Sequence, residues 1–216
     1  MGKRFDLVAF DMDGVLFDHR SSWAWIHEQY GVSNEDSFLR FIMSEIDEPE
    51  FMRRDIALWR NIDPDISRMK LVELFRSMPL IKGIQETVAA LKWNGIDSVI
   101  ISGGIDIAAE MIANEFGFDG FAANSLATDG DGRLTGEGIV NVDLRDKGVK
   151  LKEFVKKHGT TEERTVSIGN SYTDIRMFES SGLSIAFNPI DDNTRESADH
   201  VIFSDSISDV LDIILR

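Results

Sequence analysis

The chain has 216 residues, of which 43% are hydrophobic, and it contains no cysteine. Its 23 Lys and Arg residues stand against 38 Asp and Glu residues, so the formal net charge at pH 7 is −15. A chain of this length forms one domain, or one domain with a smaller insertion. The absence of cysteine excludes thiol catalysis and iron–sulfur chemistry. The acidic charge argues against nucleic acid or an anionic membrane as a partner, because both attract basic proteins.

No apolar run approaches the roughly 18 residues that a membrane span requires, so we expect no membrane association. The N-terminal stretch carries positive charge, but Asp6 and Asp11 interrupt its short apolar run, and we expect no signal peptide there. A composition without cysteine suits a reducing compartment, and we expect a cytoplasmic location. The sequence identifies no macromolecular partner and leaves the oligomeric state open.

Short, unbroken apolar runs that end at polar residues recur along the chain. The five runs are Leu7–Phe10, Val99–Ile101, Val166–Gly169, Leu183–Phe187 and His200–Phe203. Unbroken hydrophobicity at this length is typical of strands that are covered on both faces, as in a parallel sheet.

Helical patterns lie between and after these runs, in residues 83–95, 105–116, 147–159 and 207–214. In most of them the apolar residues recur on one face, at the spacing of an amphipathic helix. Strands and helices in alternation predict an α/β fold with a doubly wound, Rossmann-like parallel sheet.

Two segments break this alternation. Residues 19–80 contain no good strand but much helical material, which predicts a smaller, all-helical subdomain inserted after the first strand. The α/β core would then comprise residues 1–18 and 81–216. In residues 121–142, the stretch Asp129–Gly132 lies between strand-like runs and predicts a hairpin turn.

Polar residues at the ends of the predicted strands are the candidates for a functional site, because open α/β sheets bind ligands beyond those ends. Asp11 and Asp13 follow the first strand, two residues apart. Two such carboxylates repel each other unless a cation or a proton lies between them. A single Asp is common in loops, but this pair, followed by Gly14, indicates a site.

Three further groups extend the pattern. Ser102 and Gly103 precede a predicted helix, where backbone amides suit an anionic oxygen; serine is equally common there as a simple helix cap. Lys147 begins a helix, where its charge opposes the helix dipole, and this favours a functional role. Asn170 and Asp174 are four residues apart where a strand meets a helix, so both can point to one place. Together these residues indicate a phosphoryl-transfer site with a place for Mg²⁺.

The order and spacing of these motifs resemble the haloacid dehalogenase superfamily, specifically its phosphatases of the phosphoserine phosphatase type. The matching stretches are Asp11–Val15, Val99–Gly104, Asp146–Gly148, Gly169–Asp174 and a hairpin from Ala123 to Gly136. The resemblance covers nearly the whole chain and is weakest across residues 19–80. It implies an α/β core with a helical cap in that segment, and a Mg²⁺-dependent hydrolase of small phosphomonoesters.

The resemblance also implies a role for each matching residue. Asp11 would attack phosphorus and become an aspartyl phosphate, and Asp13 would protonate the leaving group and then activate water. Ser102, Gly103 and Lys147 would bind the phosphoryl oxygens and offset their charge. The Mg²⁺ ligands would be Asp11, the backbone carbonyl of Asp13, Asn170 and Asp174, the last directly or through water.

Asn170 departs from the family pattern, which usually has Asp at this position. An amide oxygen still ligates Mg²⁺, but the site loses a negative charge, so we expect weaker metal binding. Two alternatives to a phosphatase remain: a catalytically weak or silent phosphate-binding or regulatory relative, and a metal-free haloacid dehalogenase. Asp13 argues against the dehalogenase, because that branch of the superfamily lacks an aspartate at this position.

The helical segment departs from the phosphoserine phosphatases as well. Those enzymes use a cap glutamate for the substrate amine and an arginine for its carboxylate, and Phe17–Trp23 contains no glutamate. Arg20, Arg53 and Arg54 are candidates for binding a second anionic group of the substrate. We therefore expect a small phosphomonoester substrate, with phosphoserine as one candidate.

Overall fold

A computed structural model describes residues 3–216 of the chain. Met1 and Gly2, which belong to the predicted core and to the stretch considered as a signal peptide, lie outside the described residues. No helix within residues 3–216 has the length and apolar character that crossing a membrane requires.

A seven-stranded sheet in the order β4–β3–β2–β1–β5–β6–β7 forms the centre of the molecule. The strands are β1 (Leu7–Phe10), β2 (Asp97–Ile105), β3 (Gly120–Thr128), β4 (Leu134–Ile139), β5 (Thr165–Gly169), β6 (Leu183–Phe187) and β7 (His200–Ile202). All neighbouring strands pair in parallel except β3 and β4, which form the predicted antiparallel hairpin. The predicted doubly wound α/β fold is confirmed.

Strand β1 shows why the strand sequences are hydrophobic without interruption. Val8 and Phe10 pack into the core on one face of the sheet, and Leu7 and Ala9 pack into a second core on the other face. Because both faces are covered, every residue of the strand is buried, and no position in it requires a polar side chain.

Four helices lie between β1 and the next helix of the sheet domain: α1 (Ser22–Tyr30), α2 (Glu35–Ile42), α3 (Glu48–Ile62) and α4 (Arg68–Phe75). The remaining helices are α5 (Ile84–Trp93), α6 (Asp106–Phe116), α7 (Lys147–Lys157), α8 (Ile175–Glu179), α9 (Asp192–Ser197) and α10 (Leu211–Ile214). Short 3₁₀ turns cover Glu162–Arg164, Tyr172–Asp174 and Ile207–Val210.

The sequence sets both ends of α1 and the start of α3. The Ser21 hydroxyl accepts hydrogen bonds from the first turn of α1, and Gly31 ends that helix at a φ of +62°, which favours glycine. The Asp47 carboxylate accepts from the Glu50 amide at the start of α3, where Pro49 occupies a first-turn position that needs no amide donor.

Helix α3 lies along the β3–β4 hairpin. Arg60 donates to the carbonyl of Thr135 at 2.8 Å, and Met52 packs against Gly138. Buried residues of α1, α3 and α4 belong to the same continuous core as one face of the sheet. The division of the chain into a core and a separately moving cap at residues 19–80 stays a prediction.

Strand β2 is longer than predicted, and this changes the setting of one candidate motif. It continues through Ser102 and Gly103 to Ile105, and α6 begins at Asp106, so these residues end a strand instead of opening a helix. The physical reason is strand pairing, because Ile105 pairs with Asn124 of β3 beyond an irregularity in the register. The predicted C-terminal helix is a 3₁₀ turn followed by α10, and the last strand ends one residue earlier than predicted.

The contact between α3 and the hairpin yields a test of the packing. In Gly138→Ala the new Cβ would lie 2.7 Å from the Cβ of Met52, so helix and hairpin must move apart. We expect a loss of about 1–3 kcal/mol in the free energy of unfolding, as for other overpacked cores. Urea denaturation followed by circular dichroism measures this loss.

The control for this experiment is Gly130→Ala in the hairpin turn, where a Cβ meets nothing within 4 Å. We expect its stability to stay within about 0.5 kcal/mol of the wild type. Equal stability of both variants would contradict the close packing of α3 on the hairpin.

Candidate active site

A tight turn after β1 places the first two candidate carboxylates. The Asp11 amide still donates to the carbonyl of Ile168 in β5 at 2.8 Å, so Asp11 is held at the end of the strand. The carbonyl of Met12 then accepts from the amides of residues 15–17, which reverses the chain. Gly14 has a φ of +78° in this turn, a conformation that favours glycine.

Lys147 connects two of the predicted residues. Its Nζ lies 2.9 Å from Oδ1 of Asp11 and 2.7 Å from Oδ1 of Asp174. All three residues are buried, with exposed fractions of 3% or less. When both carboxylates are ionised, two carboxylates and one ammonium leave an excess of one negative charge in this buried cluster.

Asp174 is fixed from its other side by the loop after β5. Its Oδ2 accepts from the backbone amides of Asn170 at 2.9 Å and Ser171 at 3.1 Å. The carboxylate therefore orients Lys147 with one oxygen and the strand-to-helix loop with the other. The predicted spacing of Asn170 and Asp174 brings both residues to this loop.

Asp13 lies beside this cluster and is held by a residue that the sequence did not single out. Its Oδ2 accepts from the hydroxyl of Ser22, the first residue of α1, at 3.1 Å. Its Oδ1 is buried and has no hydrogen-bond partner among residues 3–216. A buried carboxylate oxygen without a partner marks a place where a proton, a cation or a substrate group is needed.

Ser102 is fully buried at the end of β2, and its hydroxyl oxygen accepts from the amide of Gly104 at 3.0 Å. Because that amide uses the oxygen as an acceptor, the hydroxyl proton is available to donate elsewhere. The carbonyl of Gly103 accepts from the indole of Trp23 at 3.2 Å and from the side-chain amide of Asn124 at 3.3 Å. These two donors fix the peptide plane between Gly103 and Gly104.

Glu48, at the start of α3, holds Asn124 in place. One carboxylate oxygen accepts from Nδ2 of Asn124 at 2.9 Å, and the other accepts from the amide of Leu144 at 3.3 Å. Burial is the main cause that raises the pKa of Glu48 to about 7. Sequence reasoning missed Ser22, Trp23, Asn124 and Glu48, since none of them follows a strand in a recognisable pattern.

Asp11 and Asp13 have pKa values well above the ordinary 3.8. Burial raises the pKa of Asp11 to about 7, and the nearby charge of Asp174 adds to this although Lys147 opposes it. Burial likewise raises the pKa of Asp13 to about 6, against the hydrogen bonds from Ser22. Burial opposes the charged form of Lys147, but the two carboxylates outweigh it and raise the pKa of the ammonium above its ordinary value.

The oxygen donors at this edge suit Mg²⁺ in their chemistry. Among the described residues, no group of three or more His, Asp or Glu side chains is arranged to hold a metal ion. Mg²⁺ needs few protein ligands, however, because it keeps several waters. Asp11, the carbonyl of Asp13 and the amide of Asn170 supply hard oxygens, and the excess negative charge and the free Oδ1 of Asp13 favour a cation.

Asn170 and Gly14 approach each other closely at this edge. A Cβ on Gly14 would lie 3.0 Å from Cγ of Asn170 and still closer to its amide nitrogen. Asn170 has an exposed fraction of 6%, so its side chain is enclosed between the turn after β1 and its own loop. Its amide group therefore lies next to the turn that carries Asp11 and Asp13.

The three candidate arginines lie apart from this cluster in their contacts. Arg53 pairs with Glu50 and with Glu137 of the hairpin, and Arg54 pairs with Glu50 on the surface of the helical segment. Arg20 is exposed. The structure brings Asp11, Lys147 and Asp174 into direct contact and places Asp13, Ser102, Gly103 and Asn170 at the same edge of the sheet, whereas Arg53 and Arg54 bond to surface carboxylates.

Residues 8–179 match the family model of the haloacid dehalogenase-like hydrolases, and the chain belongs to this family. It is 30% identical over 220 residues to the phosphoserine phosphatase of Methanocaldococcus jannaschii, covering 99% of this chain and 100% of that protein. It is also 30% identical over 186 residues to the phosphoserine phosphatase of Archaeoglobus fulgidus, covering 84% of this chain and 52% of that protein.

Solved structures with a similar fold belong to the same group of proteins. A solved structure described as a phospho-aspartyl intermediate analogue of phosphoserine phosphatase matches with a TM-score of 0.82 at 28% identity, covering 98% of this chain and 100% of that one. The resemblance to this superfamily and the assignment as a phosphatase, both predicted from the sequence, are confirmed.

The raised pKa values of Asp11 and Asp13 predict how stability depends on pH. The folded protein keeps these two protons up to pH values of about 7 and 6, whereas the unfolded chain releases them near 3.8. The stabilisation is therefore greatest below pH 3.8 and is lost as the pH rises through about 6 to 7. We expect the titration of Asp11 and Asp13 to lower the melting temperature of the chelator-treated protein as the pH rises through about 6 to 7.

A bound divalent cation favours the ionised carboxylates, so we expect added Mg²⁺ to raise the melting temperature more at pH 8 than at pH 5. Differential scanning calorimetry of the wild type and Asp13→Asn, with and without Mg²⁺, measures both effects. In Asp13→Asn the fall with pH should be smaller. The control is Asp36→Asn, at an exposed carboxylate of α2, which should follow the wild type. An Asp13→Asn variant with the wild-type pH dependence would contradict the assignment.

Proposed function

We propose that the chain is a Mg²⁺-dependent phosphomonoester hydrolase that acts through an aspartyl-phosphate intermediate on a small phosphorylated metabolite. The observation that supports this most is the buried contact of Lys147 with Asp11 and Asp174 at the edge where Asp13 and Ser102 also lie. This arrangement combines a nucleophile, an acid–base group and donors for phosphoryl oxygens. The relatives named phosphoserine phosphatase support the same chemistry.

Asp11 is the proposed nucleophile. One oxygen of its carboxylate is occupied by Lys147 and by the amide of Met12 at 2.8 Å, which fixes the side chain and leaves Oδ2 to attack phosphorus. As the bond from Oδ2 to phosphorus forms, the bond from phosphorus to the leaving oxygen breaks. Water then cleaves the aspartyl phosphate, so one difficult displacement is divided into two easier ones.

Asp13 is the proposed general acid and base. A carboxyl with a pKa of about 6 is protonated in part near neutral pH, so it can donate a proton to the leaving oxygen. After that transfer it is an anion and can accept a proton from the attacking water. Such a group typically contributes about 10²–10⁴-fold to the rate.

Ser102, Gly103 and Lys147 are the proposed phosphate-binding groups. The Ser102 hydroxyl is free to donate, because its oxygen already accepts from the amide of Gly104. Lys147 carries the positive charge that the phosphoryl group and Asp11 require, and it is fixed in place by Asp174. Donors that are held in place before the reaction stabilise the transition state without further reorganisation.

The proposed Mg²⁺ ligands are the carboxylate of Asp11, the backbone carbonyl of Asp13 and the side-chain oxygen of Asn170, with Asp174 contributing directly or through water. When bound, Mg²⁺ would neutralise charge on the phosphoryl oxygens and on Asp11. Because Asn170 is uncharged, we infer a weaker site than one built with a third carboxylate.

Residues 19–80 are the proposed cap, which would close over the leaving group and exclude water. Their contacts with the end of β2, through Ser22 and Trp23, support this placement. The substrate is proposed to be a small phosphomonoester, with phosphoserine as one candidate, and a cytoplasmic location stays a prediction. Arg20, Arg53 and Arg54 stay candidates for binding a second anionic group of the substrate.

A catalytically weak or silent relative with a phosphate-binding or regulatory role is the second candidate, and the neutral Asn170 is the observation that favours it. The metal-free dehalogenase is disfavoured, because Asp13 occupies the position that distinguishes the phosphatases. Turnover in the presence and absence of Mg²⁺ separates the three.

The nucleophile is tested by Asp11→Asn. We expect hydrolysis of p-nitrophenyl phosphate and of a panel of metabolite phosphates to fall by at least about 10³-fold with the fold retained, because a neutral amide is too weak a nucleophile to replace the carboxylate. The measurements are steady-state turnover and acid-quenched detection of hydroxylamine-sensitive phosphate on the chain. The panel also ranks phosphoserine against other substrates.

The matched control is Asp18→Asn, an exposed carboxylate seven residues further along the same segment. It should keep the wild-type rate. Full activity of Asp11→Asn would refute the proposed mechanism, and absence of turnover in the wild type would favour the phosphate-binding alternative.

The role of Asn170 is tested by Asn170→Asp. A third carboxylate at the proposed metal site should lower the Mg²⁺ concentration at half-maximal activity by about tenfold, or about 1.4 kcal/mol in binding free energy. The measurement is activity against Mg²⁺ concentration at fixed, saturating substrate. Equal half-saturation in the two proteins would remove Asn170 from the metal site.

A further inference from the structure

Ser22 occupies a junction between the helical segment and the candidate active site. It is the first residue of α1 and is fully buried. Its hydroxyl donates to Oδ2 of Asp13 at 3.1 Å and accepts from the backbone amide of Ile105 at 2.9 Å. One hydroxyl thus joins the helical segment, the turn after β1 and the end of β2.

The hydrogen-bond inventory fixes the direction of both bonds. The Ile105 amide has a single proton and must donate, so the Ser22 oxygen accepts there. The hydroxyl has one proton of its own, and that proton is directed to Oδ2 of Asp13. Oδ2 is therefore an acceptor, which leaves Oδ1, the oxygen that has no partner among the described residues, as the carboxyl oxygen that faces the reacting groups.

The Asp13 carboxyl and the Ser22 hydroxyl lie close to the backbone of β2 at Gly104. A Cβ on Gly104 would lie 2.5 Å from the Ser22 oxygen and 2.7 Å from Oδ2 of Asp13. The hydroxyl and the carboxyl therefore pack directly against the backbone of β2 at Gly104, which has no side chain. Trp23 is the next residue of α1, and its indole donates to the carbonyl of Gly103. This bond holds the start of the helix in position.

We propose that Ser22 is a positioning residue that orients the carboxyl of Asp13, so that Oδ1 delivers its proton to the leaving group. The inference rests on the proposed phosphatase function and deepens it. In the step concerned, the bond between phosphorus and the leaving oxygen breaks, and the proton on Oδ1 passes to that oxygen. Because Ser22 belongs to α1, the orientation of Asp13 depends on how the helical segment is seated.

The test uses the chemistry of the leaving group. An alkyl alkoxide needs a proton as it departs, whereas p-nitrophenolate is stable without one, so only alkyl phosphates depend strongly on the general acid. In Ser22→Ala we expect kcat/KM for an alkyl phosphate to fall about tenfold further than kcat/KM for p-nitrophenyl phosphate. A general acid contributes about 10²–10⁴-fold, and loss of its orientation should remove part of this.

Ser21→Ala is the matched control, because Ser21 caps α1 but has no bond to Asp13. It should lower the melting temperature by about 2–4 °C and leave the ratio of the two kcat/KM values unchanged. If Ser22→Ala fails to fold, Ser22→Cys fills the same space with a weak donor and should shift the ratio in the same direction. In Asp13→Asn/Ser22→Ala, the ratio should equal that of Asp13→Asn alone, since the two residues act as a unit.

Two results would overturn the inference: equal losses on both substrates in Ser22→Ala or Ser22→Cys, or additive losses in the double variant. Both leave the phosphatase function standing, because the wild type still hydrolyses p-nitrophenyl phosphate. A wild type without turnover on either substrate would overturn the proposed function and this inference with it.

Discussion

The contact of one buried ammonium with two buried carboxylates is the interaction on which the rest of the site depends. Lys147 lies within 3 Å of Asp11 and Asp174. Removing charges from water is costly, and such a group persists only where nearly every oxygen and proton is bonded. Asp174 meets this condition through the amides of Asn170 and Ser171. The charge that remains uncompensated explains why the site favours a proton or a second cation.

The strand order explains how these residues meet. Strands β2, β1 and β5 are neighbours in the sheet, and all three run in parallel, so their carboxyl ends lie at one edge. Each end contributes one part: Ser102 and Gly103, Asp11 and Asp13, then Asn170. Helix α7 crosses back over the sheet and places Lys147 at the same edge. The crossover connections of a parallel sheet therefore assemble a site from residues far apart in the sequence.

The helical segment is hydrogen-bonded to the same edge of the sheet. Trp23 donates to the carbonyl of Gly103, and Glu48 holds Asn124, which donates to that carbonyl as well. The peptide that positions the Ser102 hydroxyl is thus restrained by groups from both parts of the chain. A movement of the helical segment would alter these bonds, so the position of that segment and the geometry of the backbone at Gly103 are physically connected.

The sequence by itself determined the fold class and the position of the main candidate residues. Continuous apolar runs such as Leu183–Phe187 report burial on both faces, and the polar residues after them lie at the edge where ligands bind. Local pattern failed at Ser102, which continues β2 because Ile105 pairs with Asn124 of β3. The local sequence pattern also contained no signal for Ser22 or Glu48. Ser22 bonds to Ile105, 83 residues away, as well as to Asp13, and Glu48 bonds to Asn124, 76 residues away. Only the tertiary structure decides which buried hydroxyl or carboxylate meets which distant polar group.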